Sequence, residues 1–216
     1  MINKLSLNEQ IYEAIRKDIF TNKIKNGSIL VNKDLQERFD VSSSPIRDAI
    51  NRLEQDGLIC KITRAGAEVI TLDYDKTKEI NELMQIITSG SITLAIKSEN
   101  KKELDKKLID LLKIQKEYLN TDKYFYYDYC FHKLFFEYSN NEFLIKIYNQ
   151  YNVLFEMAVR SLDTLYNNES KTIHRQQSFE CHEKITESFI NNNLEETLES
   201  IKEHYNHADE IFEKYY

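Results

Sequence analysis

Apolar residues at the start of the chain recur at the spacing of an amphipathic helix. They lie at Ile11, Ile15, Ile19 and Phe20. Because residues three and four apart share one helical face, this spacing predicts a helix from Leu5 to about Asn22, followed by a turn at Asn26 and Gly27. A second, shorter helix is predicted to take Asn32 as its cap and to end around Asp40.

The next segment predicts a third helix with one buried and one exposed side. Ser44 suits the N-cap of this helix, and Pro45 suits its first turn, where no amide hydrogen is needed. The side that faces inward holds Ile46, Ala49, Ile50 and Leu53. The side that faces outward holds Arg47, Asp48, Asn51 and Arg52. Two helices joined by a tight polar turn, with Ser and Arg at the start of the second, match the geometry that sets a helix N-terminus against the DNA major groove.

A β-hairpin is predicted directly after this helix, which Gly57 ends. Residues 58–63 and 67–72 have strand character, and Arg64, Ala65 and Gly66 form the short connection between them. The tip of the hairpin therefore carries a basic side chain and a flexible residue. The sequence predicts a wing beside the third helix.

The rest of the chain predicts helices only. Six are expected, near residues 76–98, 101–120, 122–139, 141–166, 172–191 and 194–215. Asn193 and Glu196 have capping-box spacing at the start of the last one. A bundle core is indicated by Leu104, Leu108, Leu111 and Leu112. The predicted fold class is mainly α, with a winged helix-turn-helix domain over residues 1–73 and an all-α antiparallel bundle over residues 74–216.

The distribution of charge agrees with this division. The net charge is −7, yet residues 1–72 contain 11 Lys and Arg against 10 Asp and Glu, whereas the remainder contains 18 against 26. The acidity lies in the C-terminal part, and a near-neutral N-terminal part can bind phosphates if its basic groups share one face. A length of 216 residues suits two compact domains.

Apolar runs and cysteines bear on the cellular compartment. The chain has no run of about 18 apolar residues, and acidic residues interrupt its first 20 positions, so neither a membrane span nor a secretory signal is predicted. The protein is expected in the cytoplasm. In that reducing compartment the widely separated Cys60, Cys130 and Cys181 favour buried thiols over a disulfide framework.

Four residues of the predicted bundle are of metal-ligating type. Asp128 and His132 are four positions apart, hence about 40° apart around a helix, so both side chains can reach one point. His182 and His204 lie amid apolar residues on the last two helices. A carboxylate and imidazoles on three helices can converge on a divalent cation inside a bundle. The alternative for an isolated Asp-x-x-x-His pair is a surface hydrogen bond.

A series of short motifs runs through residues 9–72. In order, it comprises Gly27; Ser42, Pro45 and Arg47; Leu53, Gly57, Leu58 and Ile59; Arg64 and Gly66. This ordered set resembles the winged-helix domain of the GntR family of bacterial regulators, and the resemblance implies double-stranded DNA as a partner. The DNA contacts that it implies are Lys33, Ser42, Ser44 and Arg47, with Arg64 and Gly66 through the wing.

One position departs from the pattern of that family. Where the family usually has Arg directly after the first Ser, this chain has Ser43. Because a bidentate Arg to guanine contributes about 1–3 kcal/mol of discrimination, we expect the operator read by Ser43 and its neighbours to differ from the usual one. The alternative for Arg47 is a local pair with Asp48 or Glu54, and the alternative for the other basic contacts is an ordinary surface position.

The C-terminal histidines extend the resemblance. The FCD-type effector domain of the FadR subfamily has metal positions that are matched one by one by Asp128, His132, His182 and His204. The six helices resemble the VanR-type subgroup. The resemblance implies a divalent cation, zinc first with nickel or manganese as alternatives, and a small carboxylate effector.

The same resemblance implies residues that contact the effector. Arg160 stands where the family often has Arg and is the candidate for a second carboxylate contact. An ion pair with Glu156 or Asp163 is its alternative. Met84 and Thr88 stand where Arg and Glu are frequent, which predicts a more apolar pocket wall.

Together these predictions describe a homodimeric, non-enzymatic transcriptional regulator on a pseudo-palindromic operator. The resemblance implies repression, with activation as the alternative. A metal-dependent hydrolase, in which the cation activates water, is an alternative that gives no role to the winged helix. The other alternative is a regulator whose metal is purely structural.

Overall fold

The structure, a computed structural model, describes residues 6–163 and 168–215. These residues group into two units, one of residues 6–73 with 150–163 and the other of residues 74–149 with 168–215. The first unit includes residues 150–163, which the predicted boundaries assign to the second domain. The domain boundaries stay a prediction. The mainly α fold class, a winged helix-turn-helix followed by a helical domain, is confirmed.

Three helices form the body of the N-terminal unit: α1 spans Leu7–Phe20, α2 spans Asn32–Phe39 and α3 spans Ser43–Gln55. The buried faces are those that the apolar spacing predicts. They comprise Ile11, Ile15, Ile19 and Phe20 of α1 and Ile46, Ala49, Ile50 and Leu53 of α3. Helix α1 packs against α3, and burial of apolar area, at about 25 cal/mol per Å², fixes the side that α3 turns to the core. Its polar side is thereby left exposed.

The predicted N-caps of α2 and α3 are each wrong by one or two positions. Helix α2 begins at Asn32 itself, and the Asn32 Oδ1 atom accepts hydrogen bonds from Gln36 Nε2 at 2.5 Å and Ser43 Oγ at 3.2 Å. Helix α3 takes Ser42 as its N-cap residue instead of Ser44, since the extended backbone ends at Ser42 (φ −71°, ψ 170°). Asn32 therefore links the two helices of the helix-turn-helix.

A three-stranded antiparallel sheet completes the unit, in the order β1-β3-β2. Strand β1 spans Ile29–Leu30, β2 spans Ile59–Ile62 and β3 spans Ala67–Val69. The predicted hairpin is formed by β2 and β3, although both strands are shorter than predicted. The sequence does not predict β1, because two residues are too few for an alternating pattern.

Gly66 occupies a position in the wing that a larger residue cannot take without strain. Its φ is +146°, and a Cβ atom there would lie 2.5 Å from the Leu30 carbonyl oxygen and 2.8 Å from Ile29 Cγ2. We expect Gly66→Ala to lower the free energy of unfolding by about 1–3 kcal/mol, as measured by urea denaturation. Helical Gly90 is the control, since a Cβ there meets nothing within 4 Å, and Gly90→Ala should stabilise by about 0.5–1 kcal/mol. Equal stabilities of the two variants would contradict the tight wing.

Six helices follow the wing: α4 spans Tyr74–Ala95, α5 Lys101–Glu117, α6 Tyr124–Tyr138, α7 Glu142–Asp163, α8 Asn168–Ile190 and α9 Leu194–Tyr215. The six predicted helices are confirmed, and the predicted end of the fourth at residue 166 lies outside the described residues. The predicted cap of α9 is present, because Asn193 Oδ1 accepts a hydrogen bond from the Glu196 amide at 3.2 Å. Within the described ranges, no helix has both the length and the apolar character needed to span a membrane.

The C-terminal part of α7 packs within the N-terminal unit. Arg16 Nη2 lies 2.6 Å from Glu156 Oε2, and Arg160 Nε donates to Glu156 Oε1 at 2.8 Å. Leu154 covers the turn after α3, since a Cβ atom on Gly57 would lie 3.3 Å from Leu154 Cδ1. One carboxylate thus holds two guanidinium groups, and helix α7 supplies residues to both units.

The three cysteines are free, as expected, but the prediction that all are buried is wrong. Cys60 is exposed on β2, because only the first residue of that short strand turns to the core. Cys130 and Cys181 are half-buried, and burial raises the pKa of each thiol. Thiols of this kind are poor nucleophiles at neutral pH.

Candidate nucleic-acid interface and metal centre

The N-terminal end of α3 presents polar groups on an open surface. Arg47 is exposed, and in the part of the chain that the structure describes it makes no ion pair, so the local pair with Asp48 or Glu54 is not formed. Ser42 and Ser44 are exposed beside it, and the Ser42 hydroxyl does not cap the helix. Backbone N–H groups and the positive end of the helix dipole at such a terminus attract phosphate. The surface suits the predicted DNA contact.

The remaining predicted DNA contacts have different surroundings. Ser43 is half-buried and donates its hydroxyl hydrogen to Asn32, so it also ties α3 to α2. Lys33 Nζ lies 3.7 Å from Glu37 Oε1 with both side chains exposed, and such a pair contributes at most about 1 kcal/mol, which a phosphate can replace. Arg64 is exposed at the tip of the wing, next to Gly66. The assignment of these residues to DNA stays a prediction.

Three imidazoles meet in the interior of the C-terminal unit. His132 of α6, His182 of α8 and His204 of α9 are buried, and one ligand nitrogen of each lies within 4.8 Å of those of the other two. The Nε2 atoms of His132 and His182 are 3.2 Å apart. Phe131 stacks on the His182 ring with centroids 4.1 Å apart, which excludes water from that side. The fold thus brings together three of the four residues that the sequence singles out as ligands.

The fourth predicted ligand, Asp128, lies beside this histidine cluster. Its Oδ1 atom is 3.6 Å from His182 Nε2, and Ser178 Oγ donates a hydrogen bond to the same oxygen at 3.5 Å. The Asp128 side chain is 25% exposed, whereas that of His182 is fully buried. The carboxylate therefore approaches the cluster from its more accessible side.

All three clustered histidines are neutral at pH 7. Burial, with the neighbouring imidazoles as a smaller cause, holds the pKa of His132 and of His182 well below the usual 6.5. Burial, with His207 as the second cause, lowers the pKa of His204 to about 4. A metal cation binds the neutral imidazole, so no proton has to be removed from these rings before binding at neutral pH.

These lowered pKa values predict that the metal-free protein loses stability in mild acid. Below pH 6.5 the unfolded chain protonates His132, His182 and His204 whereas the folded chain does not, so the unfolded state binds more protons. The penalty is absent above pH 6.5 and grows as pH falls towards 4, by up to about 1.4 kcal/mol per pH unit for each histidine. Urea denaturation of chelator-treated protein between pH 7 and pH 5 measures it. His132→Gln should flatten the pH dependence, and equal slopes for the two proteins would contradict the prediction.

Gln115 of α5 contacts the histidine cluster, although no sequence motif points to it. Its Oε1 atom lies 3.0 Å from His182 Nδ1, and the side chain is fully buried. The signal for it was present, because Gln115 continues the apolar stripe of Leu104 and Leu108 with a polar residue. Tyr205 is a second such residue, with its ring centroid 5.3 Å from that of His204.

The predicted effector contacts fall in different units. Arg160 groups with the N-terminal unit, where it pairs with Glu156 at 2.8 Å, the alternative that the sequence left open. Met84 and Thr88 are buried on α4, and the Thr88 hydroxyl lies 3.0 Å from the Tyr205 hydroxyl. The role of all three in effector binding stays a prediction.

Sequence models of two protein families match the chain. The model described as bacterial regulatory proteins, gntR family, matches residues 7–69, and the model of the FCD domain matches residues 79–207. The chain belongs to the GntR family. Its FCD domain assigns it to the FadR subfamily, and the histidine cluster lies within that domain. The protein is thus a DNA-binding transcriptional regulator, which its sequence motifs predict.

Relatives within the GntR family agree with this assignment. An uncharacterized HTH-type transcriptional regulator of Bacillus subtilis, YdhC, is 27% identical over 92% of this chain and 87% of its own length. The gluconate operon transcriptional repressor of the same organism is 25% identical over 73% of this chain and 65% of its own length. Repressors therefore occur among the relatives.

Solved structures share the fold. E. coli McbR/YncC superposes with a TM-score of 0.77 at 18% identity, covering 98% of this chain and 99% of its own. A putative GntR transcriptional regulator from Rhodococcus sp. RHA1 superposes with a TM-score of 0.75 at 14% identity, covering 98% and 100%. At these identities the likeness shows the fold alone.

Proposed function

We propose that this GntR-family protein is a repressor whose FCD domain binds a divalent cation and, through it, a small carboxylate effector that releases the operator. The observation that carries the proposal is the cluster of three buried, neutral histidines on three helices. The cation would be held by His132, His182, His204 and Asp128. Zinc is the first candidate, with nickel or manganese next.

The residues present fit such a cation. Neutral imidazole suits zinc and nickel, and a carboxylate adjoins the rings. The Nδ1 atoms of His132 and His204 are buried and have no hydrogen-bond partner among the described residues. Burying an unpaired polar atom costs free energy, and a cation bonded to the other nitrogen of each ring helps to offset that cost. One carboxylate and three neutral imidazoles leave a divalent cation with net positive charge. When bound, it would supply a Lewis-acidic point of attachment for a carboxylate.

The two predicted effector contacts on α4 bear on the effector's remainder. Met84 contributes an apolar side chain and Thr88 a hydroxyl paired with Tyr205. Neither is charged, so the cation would provide most of the attraction for a negative group. A small acid with a partly apolar or hydroxylated remainder is the effector that these residues favour.

DNA binding is proposed to involve two copies of the chain. One α3 helix reads one half-site, and a pseudo-palindromic operator needs a symmetric homodimer whose half-sites lie about one helical turn apart. Arg47, Ser42 and Ser44 would contact DNA from α3, with Lys33 of α2 and Arg64 and Gly66 of the wing beside them. Effector binding would favour a dimer conformation with a different spacing of the two α3 helices.

Fluorescence anisotropy with DNA from upstream of the gene that encodes this protein tests the proposal. The salt concentration is held fixed, because phosphate contacts make the affinity for DNA salt-dependent. Zinc-loaded and chelator-treated proteins are each titrated with a panel of small carboxylic acids. We expect one acid to weaken operator binding by about 5- to 150-fold in the zinc-loaded protein only. An effect equal in both proteins would contradict an effector bound through the metal. Operator binding that needs zinc but responds to no acid would favour a purely structural metal.

A further inference from the structure

A line of three buried side chains connects helices α5, α8 and α6. Gln115 Oε1 lies 3.0 Å from His182 Nδ1, and His182 Nε2 lies 3.2 Å from His132 Nε2. All three residues are buried. Both ring nitrogens of His182 are therefore engaged, one by a glutamine and one by a second histidine.

The chemistry of the glutamine oxygen fixes the proton on His182. A carbonyl oxygen only accepts hydrogen bonds, so His182 Nδ1 must carry the hydrogen that is donated to Gln115. A neutral imidazole holds one such hydrogen, which leaves a lone pair on His182 Nε2. In the metal-free protein that lone pair accepts a hydrogen bond from His132 Nε2–H.

Asp128 competes for the same ring. Its carboxylate oxygen lies 3.6 Å from His182 Nε2 and would favour a hydrogen on that nitrogen. The distance exceeds that of a hydrogen bond, whereas the Gln115 contact is within range and fully buried. The glutamine therefore prevails in setting the tautomer.

We infer that Gln115 is a positioning residue that holds His182 as the Nδ1–H tautomer, with its Nε2 lone pair aimed into the histidine cluster as a metal site requires. The inference rests on the proposed metal site. Cation binding would also change His132, because its Nε2 hydrogen must leave before that nitrogen can bind a cation. The hydrogen goes to the buried Nδ1 atom of the same ring, which has no partner among the described residues, so His132 stays neutral while its tautomer changes.

The tautomers can be observed in the full-length, metal-free protein. Long-range ¹H–¹⁵N correlation spectra of uniformly labelled protein distinguish the two forms of a neutral imidazole, and the spectra of His182→Ala and His132→Ala assign the signals. We expect His182 to carry its hydrogen on Nδ1 and His132 on Nε2. Zinc should move the His132 hydrogen to Nδ1. A His182 signal with the hydrogen on Nε2 would overturn the inference.

Variants at Gln115 separate positioning from packing. Gln115→Met keeps the length of the side chain but removes the acceptor, and we expect zinc affinity, measured by competition with a chromophoric chelator, to fall about tenfold to hundredfold. Gln115→Glu retains an acceptor and should restore both the affinity and the Nδ1–H tautomer. Leu108→Ala, buried on the same helix, controls for loss of packing and should leave zinc affinity unchanged.

The outcomes distinguish this inference from the proposed function. A wild-type protein that binds no zinc would refute the metal site, and the spectra of the metal-free protein would still decide the tautomer. A Gln115→Met protein with wild-type zinc affinity would refute the role of Gln115 alone. If Gln115→Met does not fold, Gln115→Asn, whose shorter side chain cannot reach His182, takes its place.

Discussion

Replacing His182 with alanine should abolish tight zinc binding, and we expect the dissociation constant to rise by more than the roughly hundredfold change typical of a lost supporting contact. His182 is the central ring of the cluster, since its Nε2 atom faces both His132 Nε2 and the Asp128 carboxylate. Its removal takes away one of three imidazole ligands and leaves only His132 and His204 with the carboxylate. Elemental analysis after gel filtration, together with chelator competition, measures the loss. His132→Ala should behave in the same way.

His174→Ala is the matched control for this experiment. His174 lies on α8 two turns before His182, and it is not a member of the histidine cluster. Its replacement removes the same atoms from the same helix and should leave zinc occupancy unchanged. Full occupancy in both His132→Ala and His182→Ala proteins would refute the metal centre. Loss of occupancy in His174→Ala as well would indicate that the helix, and not the ligand, is the sensitive feature.

Replacing Arg47 with alanine should weaken specific operator binding by about 5- to 150-fold, which corresponds to the 1–3 kcal/mol of a bidentate contact between Arg and guanine. Arg47 is exposed near the N-terminal end of α3 and forms no ion pair in the described part of the chain, so its guanidinium is available to DNA. Folding should be unaffected, because a solvent-exposed side chain contributes little to the core. Fluorescence anisotropy with specific and scrambled duplexes at equal salt measures the change.

Arg52→Ala is the matched control for Arg47→Ala. Arg52 lies towards the other end of α3, where its guanidinium contacts Glu9 at 3.3 Å and stacks on Tyr12. It carries the same charge on the same helix but is already engaged, so its loss should leave specific binding nearly unchanged. Unchanged operator affinity of the Arg47→Ala protein would refute the assignment of α3 as the recognition helix.

Much of the fold follows from local pattern. Helix α3 was predictable because an apolar stripe, a Ser-rich start and Pro45 all indicate the same element. The position of its cap was not, since Ser42, Ser43 and Ser44 are chemically equivalent and only the packing of α2 decides that Ser43 bonds to Asn32. Strand β1 depends on pairing with β3, which no periodicity over two residues reveals.

The sequence predicts those parts of the candidate site whose residues lie close together along the chain. Asp128 and His132 are one helical turn apart, and this relation holds in any helix. Gln115 can be recognised as part of the site only from its contact with His182, which lies 67 residues later in the chain. The surroundings of Arg160 could not be predicted for the same reason. The charge pattern of α7 does not show which unit the C-terminal part of this helix joins.

The sharing of helix α7 constrains how this regulator can evolve and be engineered. A fragment that ends at residue 73 would lack Leu154 over Gly57 and would leave Arg16 without Glu156. Hybrid regulators made by joining the first 73 residues of one relative to the effector domain of another would therefore combine α1 and α7 surfaces that were not selected together. Exchange of operator specificity between relatives is best made by transplanting the exposed face of α3 alone, with residues 150–163 left in their native pairing.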